Sequence, residues 1–303
     1  MKFVTFYNPE GQLRAGWLSG DRVVDMNVVS KGKLPNHLIE LIKNHEEYMD
    51  VISTLNNKLT HLESFSINEI RLTAPLPKPP SFRDFVAFET HVKNATKRSG
   101  GTVAPEWYEM PMFYFSNANA MKGTNEEVKH PAKCSRLDYE LEMACIIGRK
   151  GKNIRAEEAE EYIFGFTILN DWSARDIQMK EMKVLLGPAK GKDFATSIGP
   201  YIVTKDELEP YRLEDKYDLE MTAAVNGKIL SRGNFKDIYY SFGQMIERAS
   251  EEVTLYPGDI IGSGTVGFGC IMELGPETHR WLEPGDEVEL TITGLGSLKN
   301  KIV

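Results

Sequence analysis

The sequence predicts a mainly β fold with some α: a small N-terminal β-rich domain over residues 1–74 and a larger β-rich domain over residues 75–303. Three observations predict it. Short apolar or alternating runs bounded by Gly-containing turns recur along the chain, the mark of strands. Helical spacing is confined to a few brief segments. A proline run, Pro75, Pro77, Pro79 and Pro80, separates the two parts as an extended linker, because proline lacks an amide donor and disfavours helix in the residue before it.

In the first part, Lys2–Phe6, Leu13–Ser19 and Arg22–Asp25 read as short strands, with Gly20-Asp21 the clearest turn. Leu38, Ile39, Leu41 and Ile42 then fall at helical spacing, with Asn36 as the expected cap, and a second helix is expected from about Glu46 to Leu55. His37, His45 and His61 have no acidic or cysteine partner at ligand spacing and are read as surface histidines.

Beyond the prolines come Phe82–Asn94, containing Asp84 and His91, and then a Gly100-Gly101 loop. His91 is either a helix-surface histidine or a general base, since its side chain titrates near neutrality.

The segment Asp138–Lys192 carries the densest chemistry. At strand spacing Asp138, Glu140 and Glu142 share one side while Tyr139, Leu141, Met143 and Cys145 share the other. Such alternation also describes the wet face of an amphipathic strand. The expected apolar strand Ile163–Leu169, however, runs directly into the polar Asn170-Asp171-Trp172-Ser173-Ala174-Arg175-Asp176-Ile177-Gln178. If the two strands end near one another, Glu140, Glu142 and Asp171 converge. Gathered carboxylates repel unless a cation compensates, and an all-oxygen set suits Mg²⁺, Ca²⁺ or Mn²⁺ better than zinc.

Lys192, in a glycine-bracketed loop, reads on its own as solvent-exposed. Farther on, Leu219–Leu230 is a hairpin turning at Asn226-Gly227, and Phe242, Met245, Ile246 and Ala249 keep helical spacing. Pro-Gly-Asp turns at 257–259 and 284–286 launch strands. Between them the glycines of 262–269 allow backbone to approach a ligand closely.

Composition excludes several classes. The net charge of −8 and the lack of any Lys/Arg cluster argue against nucleic acid. No window approaches the length of a membrane span, the first residues lack the apolar run of a signal peptide, and a cytoplasmic location is expected. Cys134, Cys145 and Cys270 match no metal or redox spacing and are read as free thiols, with Cys145 and Cys270 in the core.

From about residue 75 onward the chain resembles the fumarylacetoacetate hydrolase family, nearer its fumarylacetoacetase branch than its shorter acylpyruvase-like members. The matching words are Arg136-Leu137-Asp138-Tyr139-Glu140-Leu141-Glu142-Met143, Asn170 to Gln178, Leu186-Gly187-Pro188, Gly191-Lys192 and Gly264-Thr265.

The resemblance implies a mixed β-sandwich roll behind the small N-terminal domain, usually a homodimer. It implies a metal site at Asp84, Glu140, Glu142 and Asp171 holding Mg²⁺ (or Ca²⁺ or Mn²⁺). It implies a water-activating dyad of His91 with Glu273, an oxyanion group of Arg175, Gln178 and Lys192, and substrate contacts from Thr265, Tyr114 and Arg98.

The activity implied is hydrolysis of a C–C bond in a small anionic β-diketo acid such as fumarylacetoacetate or an acylpyruvate, in aromatic amino acid catabolism. The alternatives are acylpyruvase or oxaloacetate decarboxylase chemistry, a 2-oxo-diene-dioate isomerase or decarboxylase, and a non-catalytic metabolite-binding protein. Val86 and Met182 stand where fumarylacetoacetases have substrate-contacting tyrosines, which is a departure.

Overall fold

The computed structural model describes residues 1–57, 64–98, 100–275 and 277–303. His61 lies outside them. Strands dominate, as the recurrent turn signals predict. Among the described residues one sheet has twelve strands and a second has four.

The large sheet begins with the N-terminal strands. Lys2–Tyr7 pairs with Leu13–Ser19, and that strand with Arg22–Asp25, at the boundaries the turn residues mark. Lys2–Tyr7 also pairs antiparallel with Thr196–Thr204, Lys2 opposite Val203 and Phe3 opposite Ile202. The first 74 residues therefore share hydrogen bonds with the later part of the chain.

From Thr196–Thr204 the sheet continues through Ile163–Asp171, Leu141–Ile147, Ile260–Gly262 and Phe82–Phe85. Strand Leu141–Ile147 is buried on both faces. Leu141, Met143, Cys145 and Ile147 enter one core, while Ala144 and Ile146 enter a second, packed with Phe3, Trp17, Leu38 and Leu41 from the N-terminal part. A strand covered on both faces reads as a near-continuous apolar run, and Leu141-Glu142-Met143-Ala144-Cys145-Ile146-Ile147 departs from that only at Glu142.

The second sheet contains the hairpin Glu220–Val225 and Lys228–Asn234, then Glu287–Ile292 and Gly296–Lys301. Asn226 and Gly227 adopt φ of 51° and 77°, the geometry that makes Asn-Gly the favoured two-residue hairpin turn. Met221, Ala223, Leu290 and Ile292 join the core that holds Leu141 and Met143, so the two sheets sandwich it. Helix Phe242–Ser250 closes that core with Phe242, Met245, Ile246 and Ala249, the residues the periodicity selects.

Three local expectations change. The expected strand from Leu137 is broken: Leu137–Asp138 pairs with Ser173–Ala174, and the main strand starts at Leu141. Helix Leu38–Lys43 is preceded by His37, with no side-chain cap from Asn36. His45 is half-buried, edge-on to the Phe164 ring, with Nδ1 at 3.0 Å from the Ile42 carbonyl. The cysteines stand as read, all three free and Cys145 and Cys270 buried. No helix among the described residues is long and apolar enough to cross a membrane.

Candidate active site

Strand register assembles the acidic site. Asp84 pairs with Gly262, and Gly262 pairs with Ala144. Side chains two residues apart share a face, so Glu142 lies on the side of Ala144 and hence of Asp84. Glu142 is paired with Leu169, which places Asp171 on that side too. Between Asp84 and Glu142 the sheet has only Gly262, where a Cβ would stand 2.3 Å from Asp84 Oδ1 and 3.4 Å from Glu142 Oε2. The glycine leaves the space in which the carboxylates meet.

Carboxylate oxygens of Asp84, Glu140 and Glu142 all fall within 4.8 Å of one another. Glu142 is fully buried and Glu140 is 5% exposed, so the wet-strand alternative fails. Asp171 lies outside this trio but is tied to it: Lys192 Nζ donates to Glu140 Oε2 at 2.5 Å and to Asp171 Oδ2 at 2.6 Å, and the Tyr114 hydroxyl donates to the same Asp171 oxygen. Lys192 is therefore buried, not solvent-exposed as its loop alone suggested.

Arg175 is buried as well. Its Nε donates to Asp138 Oδ2 at 2.9 Å, Nη2 lies 2.8 Å from Glu140 Oε1, and Nη1 donates to Gln178 at 3.2 Å. Asp138 also accepts from the amides of Ile271 and Met272, so it braces the Arg175 guanidinium rather than joining the acidic face.

The electrostatics follow from burial. Removal from water, with Asp171 nearby, raises Asp84 well above the carboxylate range, and burial beside Asp84 and Glu140 does the same to Glu142. Burial pushes Glu140 upward too, but Arg175 and Lys192 beside it hold the carboxyl below its ordinary value. Lys192 is held above the usual ammonium value because Asp171 and Glu140 outweigh its own desolvation.

Two buried oxygens, Asp84 Oδ1 and Asp171 Oδ1, have no hydrogen-bond partner among the described residues. A buried unpaired carboxylate oxygen is unfavourable, and a hard divalent cation would satisfy both. The donor set fits such an ion.

Across the cavity, His91 sits on helix Glu89–Arg98 with Nδ1 at 2.6 Å from Glu273 Oε1. Glu273 lies on the short helix Ile271–Leu274. Burial pushes its carboxyl up, but the His91 contact and the donors Asn94 Nδ2 and Phe268 N, each at 2.9 Å, hold it below the ordinary range. An ionised Glu273 requires the proton on His91 Nδ1, which leaves Nε2 of the neutral ring as the acceptor.

Asn94 was not singled out by the sequence reading, although it stands three residues after His91 on one helix face. Arg98 is not in the cavity wall: its guanidinium donates to the Glu273 carbonyl at 2.8 and 3.1 Å.

The cavity holds about 620 Å³, and Asp84, Glu140, Glu142, His91, Tyr114, Arg175, Gln178, Lys192 and Thr265 are among the residues that line it. Gly264, at φ 76°, turns its amide onto Glu142 Oε2 at 3.0 Å, and Thr265 Oγ1 is 3.5 Å from Glu142 Oε1.

Residues 81–303 match the fumarylacetoacetate (FAA) hydrolase C-terminal family. This chain belongs to the fumarylacetoacetate hydrolase family. It is 30% identical over 320 aligned residues to the oxaloacetate tautomerase YisK of Bacillus subtilis, covering all of both chains. It is 32% identical to a fumarylacetoacetase of Oryza sativa over 270 residues, 69% of this chain and 63% of that one. Among solved structures, the fumarylacetoacetate hydrolase of Exiguobacterium antarcticum superposes with a TM-score of 0.77, at 25% identity over 100% of this chain and 99% of that one. The family thus spans hydrolase and tautomerase names on one fold.

Proposed function

We propose that the protein is a divalent-cation enzyme that hydrolyses a C–C bond in a β-diketo acid, an acylpyruvate or fumarylacetoacetate being the type. The observation that carries this reading is the buried pairing of Glu273 with His91, which lines the same cavity as Asp84, Glu140 and Glu142. A base paired to a carboxylate beside a cation site is what water activation needs.

Asp84, Glu140, Glu142 and Asp171 would hold Mg²⁺, Mn²⁺ or Ca²⁺, which when bound supplies Lewis-acid polarisation of a substrate carbonyl. His91 Nε2 takes a proton from water, and Glu273 stabilises the resulting imidazolium. The hydroxide adds to the acyl carbonyl. Arg175, Gln178 and Lys192, which line the same cavity, would meet the oxyanion, where removal of one donor typically costs about 3–4 kcal/mol of barrier. The bond to the neighbouring methylene carbon then breaks and His91 returns its proton to that carbon. The products are a carboxylic acid and pyruvate, or acetoacetate in the fumarylacetoacetate case.

A second reading is favoured by the likeness to the Bacillus subtilis enzyme, which runs the full length of both chains. In keto–enol tautomerisation of oxaloacetate the same His91 would remove and return a proton at carbon, with no water consumed. A side-by-side panel distinguishes them: loss of diketone absorbance with acylpyruvates and fumarylacetoacetate, against the rate of oxaloacetate ketonisation. Response to oxaloacetate alone would overturn the hydrolytic reading. A homodimer in the cytoplasm belongs to the same proposal, and light scattering on the purified protein tests the assembly.

A further inference from the structure

Among the described residues a second group of ligand-type side chains is separate from the trio of Asp84, Glu140 and Glu142. It consists of His91, Cys270 and Glu273, one ligand atom from each falling within 4.8 Å of the others. All three are buried, Cys270 completely and His91 and Glu273 to 8% and 4% exposure. Cys270 occupies the cap position before helix Ile271–Leu274, and its Sγ lies 3.5 Å from Glu273 Oε1, the same oxygen that faces His91 Nδ1 at 2.6 Å. Asn94 and the Phe268 amide hold Oε2, so the carboxylate presents Oε1 to the imidazole and the thiol together. Nothing in water activation requires the thiol.

A nitrogen, a sulfur and an oxygen make a different donor set from the all-oxygen cluster. Hard Mg²⁺ and Ca²⁺ favour the carboxylates, whereas thiolate with imidazole selects zinc. Geometry agrees along one edge. Zn–S of about 2.3 Å and Zn–O of about 2.0 Å at a tetrahedral angle separate sulfur from oxygen by roughly 3.5 Å, which is the spacing of Cys270 Sγ and Glu273 Oε1. Along the other edge Nδ1 and Oε1 must part from 2.6 Å to about 3.3 Å, a small retreat of the ring. Charge closes as well. Burial, with Asp138 nearby, raises the thiol well above its ordinary value, so it keeps its proton until a coordinating metal displaces it. One thiolate and one carboxylate then neutralise the ion, and no net charge is left buried. His91 lines the cavity, which gives an ion a route in and a water at the fourth position.

From this geometry we propose that His91, Cys270 and Glu273 form a second metal site, selective for a thiophilic divalent ion such as Zn²⁺, and that filling it switches the enzyme off. The switch follows from the two ring nitrogens. Zinc bound at Nδ1 takes that nitrogen's lone pair, so the single proton of the neutral imidazole moves to Nε2. Nε2 is then a donor and cannot accept a proton from water. The thiol proton leaves to solvent, one for each zinc bound. The binding half stands on the donor atoms alone, while the inhibitory half rests on His91 as the base of the proposed reaction.

The test adds Zn²⁺ to protein saturated with Mg²⁺. Calorimetry in buffers of different ionisation heat should show one further equivalent bound with about one proton released. Turnover of the active panel substrate should fall about 100-fold or more at that stoichiometry, the contribution of a positioned base. Co²⁺ in place of Zn²⁺ should give a near-ultraviolet thiolate-to-metal band. Cys270→Ser keeps a donor toward Glu273 Oε1. It should retain turnover, lose the band and bind zinc at least about 100-fold more weakly, more than loss of a group behind a ligand typically costs. Cys270→Ala should lose zinc in the same way. Zinc that merely displaces Mg²⁺ from the carboxylates would bind Cys270→Ser as tightly as the parent, and Co²⁺ would give no band; either result overturns the site. Full turnover with zinc bound overturns the switch. Zinc held through Cys270 in protein that hydrolyses no panel member would uphold the site and remove the hydrolytic reading instead.

Discussion

The imidazole of His91 and the carboxylate of Glu273 stand 182 positions apart in sequence and meet at 2.6 Å, with Asn94 and the Phe268 amide fixing the far carboxylate oxygen. The pair adjoins the acidic cluster but is separate from it. His91→Ala should therefore leave Mn²⁺ affinity within a factor of about two and reduce turnover by about 10²- to 10⁴-fold. Calorimetry and steady-state rates on the active panel substrate check the two halves. An unchanged rate would remove His91 as the base.

Glu142→Ala should do the opposite on the first measurement. It removes one of three oxygens within 4.8 Å and the acceptor of the Gly264 amide, so both cation binding and turnover should fall together. Mn²⁺ titration followed by electron paramagnetic resonance reads the loss directly.

Gly262→Ala tests the empty space between the acids. The added carbon would stand 2.3 Å from Asp84 Oδ1, so the Asp84 carboxylate must move. Cation affinity is expected to drop at least about tenfold, equivalent to ~1.4 kcal/mol. Far-ultraviolet circular dichroism should remain that of the parent.

Lys192→Met removes the ammonium that bridges Glu140 and Asp171, where all three side chains are 6% exposed or less. Losing one partner of a buried ion pair leaves uncompensated charge, and a destabilisation of about 3–5 kcal/mol is expected in cation-free protein. Urea denaturation with and without Mn²⁺ should show the loss reduced when the cation is present.

The pH dependence has a definite sign. Asp84 and Glu142 are raised well above ordinary carboxylates by burial, reinforced by the neighbouring acids. A group with a higher pKa in the folded state binds more protons folded than unfolded, so its contribution is full below the unfolded pKa of about 4 and is lost as pH climbs through the raised folded value. Cation-free protein should lose melting temperature over that window. A divalent cation that displaces those protons should stabilise more as pH rises. Melting curves in chelator and in Mn²⁺ across pH measure the difference, and a cation effect that does not grow with pH would contradict the assignment.

What sequence could reveal differed by element. Strands bounded by Gly-Asp or Asn-Gly, such as Leu13–Ser19 and the hairpin at Asn226-Gly227, were legible because the turn geometry is local. The helix Phe242–Ser250 was legible because its apolar stripe has one period. Strand alternation and register put Glu142 and Asp171 on one side, but Glu140 precedes the strand that starts at Leu141, and Asp171 is tied to Glu140 through Lys192. Asp84 and Glu273 were named through family resemblance, since nothing local distinguishes them. The break before Leu141 and the burial of Lys192 were hidden because both arise from pairing with distant segments: Leu137–Asp138 with Ser173–Ala174, and Lys192 with Glu140 and Asp171. Asn94 and Arg98 were obscured in the same way, their partner Glu273 lying far along the chain.

Pairing of Lys2–Tyr7 with Thr196–Thr204 also bears on how the chain tolerates shortening. A version starting at residue 75 would bare the backbone edge of Thr196–Thr204 and uncover the apolar side chains of Ile146, Phe164 and Ile198. An unprotected strand edge beside apolar surface is a template for other chains, so such a truncation would emerge as aggregate even with every residue of the candidate site retained.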